Sequence, residues 1–221
     1  MSNINTVASV QDCYDKTADE YANQFYNELD GKHLDKILLH AFATENCDKG
    51  RMLDLGCGPG QTTAALRKFG VEDIVGTDLS PVAIEKAKEL NPLISFEVVD
   101  MLNLAYPDDS FGSAVAFYAI VHFNEQELNL AFTQISRVLK VGGQFLFSFH
   151  VGEEIVHFDN FLGHAVNIDF CFYKSEKIIS IAKQAGFRVI DALERQPYVD
   201  VVEHPTIRAY IWLEKIVVSS P

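Results

Sequence analysis

Arg51-Met52-Leu53-Asp54-Leu55-Gly56-Cys57-Gly58-Pro59-Gly60, followed by Gln61, is the stretch whose reading decides the fold. Its first half is a short apolar run of the kind that forms a buried strand. Its second half sets a glycine at every other position before a helical pattern that begins near Gln61. Glycine has no β-carbon and tolerates positive φ, so backbone there approaches a ligand closely, and the free N–H groups of a following helix suit an anionic or polar group. The alternative is a tight strand-to-helix turn that holds nothing.

Outward from this loop, short apolar runs alternate with longer helical ones, the signature of a parallel α/β sheet. Strands are expected near 51–55, 72–77, 95–99, 113–118 and 143–149, with helices near 61–69, 81–90 and 125–139. Ser80 and Pro81 mark a helix start, Ser as N-cap and Pro at the first helical position. Val141-Gly142-Gly143 reads as a turn from helix to strand. Towards the N-terminus, Tyr14, Ala18, Tyr21 and Phe25 fall on one face of a helix expected over 10–29, with a second helix over 33–44. Beyond 149 the rhythm breaks. Residues 150–173 mix Phe158, Phe161, Phe170, Phe172 and Tyr173 with histidines and acids, show no clear period, and are expected as a lid or substrate loop. A helix near 174–185 and strands near 187–194 and 206–218 complete one expected domain over 1–221, in which 1–45 is a helical segment over the site.

The chain has 221 residues, of which 31 are acidic and 18 basic, for a formal charge of −13. That field repels phosphate backbones and anionic membranes, so long nucleic acids are disfavoured and small molecules or cationic partners fit better. Cys13, Cys47, Cys57 and Cys171 form no paired motif, and a reducing, cytoplasmic setting is expected. No apolar run is long enough to span a bilayer and no leader pattern opens the chain, so neither membrane insertion nor secretion is expected. His157, Asp159 and His164 have no helical ligand spacing, and no metal is assigned. Nothing in the sequence sets the oligomeric state.

Two further acids and their neighbours extend the loop into a site. Asp78 lies 20 residues after Gly58 at the next strand end, where a carboxylate accepts ribose hydroxyls or else caps the Pro81 helix. Asp100 ends the third strand beside Met101, an acceptor for an adenine amino group next to a polarizable side chain that packs on a ring or fills the core. Phe117 and Tyr118 end the fourth strand, and His122 follows within a turn. A dinucleotide fingerprint would need glycine at position 61, where Gln61 stands, which weakens an NAD or FAD reading.

These residues resemble the class I S-adenosylmethionine (SAM)-dependent methyltransferases of the small-molecule type. Leu53 to Gly60 carries their first motif, and Asp78, Asp100-Met101, Tyr118 to His122 and Leu139 to Gly143 follow at the expected places. The resemblance implies a Rossmann-like, doubly wound α/β fold with a seven-stranded, mostly parallel sheet whose last strand inserts antiparallel between strands five and six. It implies SAM as cofactor and a small-molecule methyl acceptor. It assigns the cofactor to Asp54, Gly56, Cys57, Gly58, Asp78, Leu79, Asp100, Met101 and Phe117, with Tyr14 and Tyr21 closing over it from the N-terminal segment. Tyr14 and Tyr21 read equally well as core aromatics. Gly112 departs from the pattern, since relatives carry an acid after the phenylalanine matched by Phe111. His122, with an ordinary pKa near 6.5, is the first candidate general base, against a structural role capping a helix. His150, Glu153, His164 and Glu203 are secondary candidates for substrate contact, and the Glu203-His204-Pro205 turn is expected on the acceptor side. A non-enzymatic SAM-binding protein and an NAD-linked oxidoreductase remain as alternatives.

Overall fold

The computed structural model describes residues 5–199 and 203–217. Residues 1–4 of the N-terminal segment and residue 218 of the expected last strand lie outside them. In chain order the elements are α1 (Val7–Phe25), α2 (His33–Asn46), β1 (Met52–Leu55), α3 (Gln61–Lys68), β2 (Ile74–Asp78), α4 (Pro81–Leu90), β3 (Ser95–Val98), β4 (Phe111–Phe117), α5 (Glu125–Val138), β5 (Leu139–His150), β6 (Ile155–Phe161), β7 (His164–Cys171), α6 (Ser175–Gln184), β8 (Phe187–Arg195) and β9 (Arg208–Lys215).

Seven strands form one sheet in the order β3-β2-β1-β4-β5-β9-β8. The pairings from β3 to β5 are parallel, and β9 lies antiparallel between β5 and β8. This is the doubly wound order that the resemblance implied. Successive side chains of a strand face opposite sides, so a strand covered on both faces reads as an unbroken apolar run. Leu53, Leu55, Ala114, Ala116, Phe145 and Phe147 share a core with α5 and α6. Met52, Val115 and Leu146, one step out of phase, share a second core with Leu39 and Phe42 of α2 and Leu66 of α3. The strand order reverses direction at β1 and β4, and in open α/β sheets the crevice beyond the strand ends at such a point is where ligands sit.

Local chemistry sets the helix starts. Ser80 Oγ accepts the Ala83 N–H at 3.0 Å with Pro81 in the first helical position. Asn124 caps α5 by accepting from Gln126 and Glu127, so the helix-capping role weighed for His122 belongs to Asn124. The turn expected at Val141-Gly142-Gly143 lies inside β5, which is extended from Leu139 and bends where Gly142 takes φ 78°. At Gly112 an added β-carbon would collide with the Lys49 carbonyl oxygen, which accounts for the missing acid.

The segment expected as an aperiodic loop over 150–173 is instead an antiparallel hairpin, β6 against β7, turning at Leu162 and Gly163 with φ 52° and 88°. Its period is hidden for a physical reason. The pairing register slips between Phe158 and Asn160, so Phe158 and Phe161 fall three residues apart rather than two. Asn5 ties this hairpin to the body: its side chain donates to the His122 and Asp169 carbonyls at 2.9 and 2.8 Å and accepts the Asp169 N–H at 2.8 Å. Helix α1 is held at its other side by Asp15 to Ser80 Oγ at 2.5 Å and by Asp19 to Lys86 at 2.8 Å. No described helix is long and apolar enough to cross a membrane.

Candidate functional site

Two cavities meet beyond the carboxyl ends of β1, β2, β3 and β4. The narrower is lined by Tyr14, Tyr21, Gly56, Gly58, Asp78, Leu79, Asp100, Met101, Phe117 and His122, among others. The wider, about 480 Å³, lies under the hairpin and shares Tyr14, Tyr21, Gly56, Gly58, Phe117 and Tyr118 with the first. Volumes of about 300 to 1,000 Å³ are usual for small-molecule sites.

The loop between β1 and α3 is built for close approach. Gly56 has φ 66°, and a β-carbon there would strike the Ala119 side chain. Asp78 is the hinge of the site: its two oxygens accept the Gly58 and Ser80 N–H groups, each at 2.9 Å. It does not cap α4, whose cap is Ser80. Burial raises the Asp78 pKa against the lowering effect of its backbone hydrogen bonds. Each oxygen keeps a second lone pair, so the carboxylate has room for two hydroxyl donors. Asp100 spends one oxygen on the Leu102 N–H at 2.8 Å, and Met101 is buried among the α5-side core residues while also bordering the narrow cavity.

Asp54 sits on the wide cavity beneath the loop, its carboxylate accepting from Thr63 Oγ1 at 2.6 Å. Burial is the main cause of its pKa rising to about 7, with Asp78 adding to it and Thr63 opposing. Cys57 borders the wide cavity, but its side chain belongs to an apolar cluster with Ile84, Ala87 and Phe96. Gln61 donates to Glu28 at 3.3 Å, while its buried Oε1 has no donor among the described residues.

Tyr14 and Tyr21 line both cavities rather than the core, their rings edge-to-face at 5.9 Å. The Tyr14 hydroxyl donates to His122 Nε2 at 2.8 Å. The tautomer follows from the other side of the ring, where Nδ1 stands 3.1 Å from the Asp169 carbonyl, which can only accept. Burial is the dominant reason that the His122 pKa falls to about 4. The imidazole is therefore neutral at pH 7, borders the narrow cavity, and faces the wide one through Tyr14.

The wide cavity holds residues that sequence reasoning passed over. Lys32 pairs with Glu28 at 2.6 Å and lies 4.8 Å above the Tyr118 ring. Arg208 lies 5.8 Å from the same ring and 3.0 Å from Glu203. Glu203 in turn takes both guanidinium nitrogens of Arg195 at 2.5 and 2.9 Å. Asp35, Tyr118 and Tyr210 complete this buried network, with Arg195 to Asp35 at 3.1 Å. The available signal was Arg208 itself, a lone basic residue heading the apolar run Ala209-Tyr210-Ile211-Trp212-Leu213. Of the secondary candidates, His150 and Glu203 border this cavity together with His204 and Pro205. Glu153 pairs with Lys174 at 2.8 Å, and His164 pairs with Glu20 at 3.2 Å. His157 bonds Asp169 at 2.9 Å, and no group of three potential metal ligands is found among the described residues.

Residues 52–143 match the family model described as a methyltransferase domain, and solved SAM-dependent methyltransferases share the fold. That segment is similar to a methyltransferase domain, and the whole fold is that of solved SAM-dependent methyltransferases, whose cofactor is SAM. A mouse eEF1A lysine and N-terminal methyltransferase is 34% identical over 109 residues, covering 44% of this chain and 16% of that protein. The uncharacterized methyltransferase YcgJ of Bacillus subtilis (strain 168) is 31% identical over 119 residues, 52% of this chain and 46% of its own. The chain thus spans less than half the length of either relative. The crystal structure of the [4+2]-cyclase SpnF superposes with a TM-score of 0.72 at 20% identity, over 99% of each chain, a likeness of fold.

Proposed function

We propose that the protein transfers a methyl group from SAM to a small-molecule acceptor. The observation that carries this reading is the pair of cavities joined at Tyr14, Tyr21, Phe117 and Tyr118, one suited to a nucleoside and the other to a second molecule. In this reading Asp78 receives the ribose hydroxyls, Asp100 and Met101 the adenine, and the Gly56 to Gly58 backbone with Asp54 the methionine end. Gln61 Oε1, buried without a donor, suits that amino group. SAM supplies an activated methyl on a sulfonium, so the chain needs no nucleophile of its own. Its work is alignment, exclusion of water and the handling of one proton.

Enclosure supports a small acceptor over a protein or nucleic acid. Helix α1 and the β6–β7 hairpin cover the wide cavity, and the net charge of −13 opposes polyanions. We read the helical segment over 1–45 and the hairpin as the covers of one domain. His122 enters as a base acting through Tyr14. A base with pKa near 4 suits a proton released late, when the acceptor oxygen has become positively charged by methylation.

The test is release of S-adenosylhomocysteine by purified protein supplied with SAM and fractionated small metabolites, with the product identified by mass. A methylated small molecule is expected. SAM binding without S-adenosylhomocysteine release from any fraction would move the protein to a binding role or to non-methylating chemistry; the [4+2]-cyclase SpnF shares this fold.

The low His122 pKa has a separate consequence for stability. Between the unfolded value near 6.5 and about 4, the unfolded chain binds the proton and the folded chain does not, so stability falls as pH drops through that window. From pH 7 to 5 this amounts to about 2 kcal/mol. His150, lowered to about 3, adds a similar fall. His122→Gln should keep the His150 part and lose its own. Urea denaturation of both proteins at the two pH values measures the difference, and parallel curves would contradict the assignment.

A further inference from the structure

In a protein that is strongly acidic overall, the wide cavity is bordered by two cations, Lys32 and Arg208, beside the carboxylates of Glu28 and Glu203. Lys32 and Arg208 approach the same Tyr118 ring, at 4.8 and 5.8 Å, and both border the cavity. Each has a carboxylate neighbour, yet neither is saturated. Glu203 is shared, since Arg195 takes both its oxygens and the Tyr198 N–H takes Oε1 at 2.7 Å. Arg208 spends Nη1 on Thr206, and its Nε stands 3.0 Å from Glu203, so the Nη2 edge is what it offers a bound anion. Burial first, then the charges of Arg208, His204 and Lys32, hold the His150 pKa down, with Glu203 opposing them. The remaining wall is aromatic. Phe158, Phe161 and Phe170 reach the cavity from the hairpin, and Phe172 stacks on His150 at 5.2 Å.

We propose that the wide cavity takes a molecule with a flat apolar body and a carboxylate, the carboxylate received between Lys32 and Arg208 and the body laid on the phenylalanines. The proposal rests on the wide cavity being the acceptor side. It narrows the acceptor class to aromatic or polyene acids, and it separates neutral and cationic molecules from the fit.

Matched probes test it: cinnamate, cinnamamide and cinnamylamine, with the corresponding naphthalene and anthracene sets, titrated calorimetrically into the full chain with and without S-adenosylhomocysteine. At least one carboxylate is expected to bind about tenfold or more tighter than its amide, with the amine no better than the amide. Lys32→Gln and Arg208→Gln should each erase that preference and leave amide affinity within about twofold. If Arg208→Gln does not fold, Lys32→Gln decides alone. Carboxylates no tighter than amides in every set, absence of carboxylate binding included, or a preference surviving both substitutions, overturns the proposal. Binding of S-adenosylhomocysteine is read in the same titrations, so failure of the methyltransferase reading and failure of the acid preference give different results.

Discussion

Asp78→Ala should weaken SAM binding by about a hundredfold or more. Two losses add. The carboxylate is the acceptor we assign to two ribose hydroxyls, and hydrogen bonds to a buried charged group are worth roughly 1.5–3 kcal/mol each. The same oxygens anchor the Gly58 and Ser80 N–H groups at 2.9 Å, so their removal frees the loop that shapes the cavity. Asp78→Asn keeps an acceptor oxygen while turning the other position into a donor, and it should fall between wild type and alanine. Calorimetric titration of the three proteins, with thermal melts to confirm folding, checks the order. Wild-type affinity in a folded Asp78→Ala protein would remove Asp78 from the cofactor site.

Glu203→Ala should cost about 3–5 kcal/mol of stability, because it strips the partner from two buried guanidinium groups at once. Arg195 and Arg208 both lie against this carboxylate, whose side chain is 2% exposed, and the Tyr198 N–H also donates to it. Remaining partners do not replace it: Asp35 already receives Arg195, Tyr118 and Tyr210. The titration sign follows. Burial by itself would raise the Glu203 pKa, but the Arg195 and Tyr198 hydrogen bonds and the two guanidinium charges overcome it and hold the group below the ordinary carboxylate range. The stabilisation is therefore complete above the unfolded pKa of about 4.3 and is lost as pH falls through the lower folded value. Chemical denaturation at pH 7 measures the main loss, and the difference between the proteins should shrink with acidification below about pH 4. A variant as stable as wild type at pH 7 would show that the network contributes nothing net.

The two networks differed in how far they could be read from the chain. Asp78 and Asp100-Met101 stand at the ends of apolar runs, where a parallel strand must deliver them to one sheet edge, so local pattern placed them. Lys32 and Asp35 stand at the start of α2, Arg195 at the end of β8 and Arg208 at the start of β9, and no periodicity joins these three places. Arg195 and Asp35 are 160 positions apart and 3.1 Å apart in space. The hairpin escaped notice because its slipped pairing at Phe158 spoils the alternation that marks a strand.

What the chain determined by itself is the glycine-loop side of the site. The strand at Met52–Leu55, the glycine loop and the capped helices after it are set by local backbone chemistry and alternating burial, interactions that act within a few residues. Tertiary structure alone decided the rest: the hairpin over the cavity, the contact of His122 with Tyr14, and the ion pairs of Lys32 and Arg208 beside the cavity. The physical reason is that desolvation and charge pairing depend on distance in space. A pKa near 4 for His122, or a buried Arg208 set 3.0 Å from Glu203, exists only once separate elements have closed around the group.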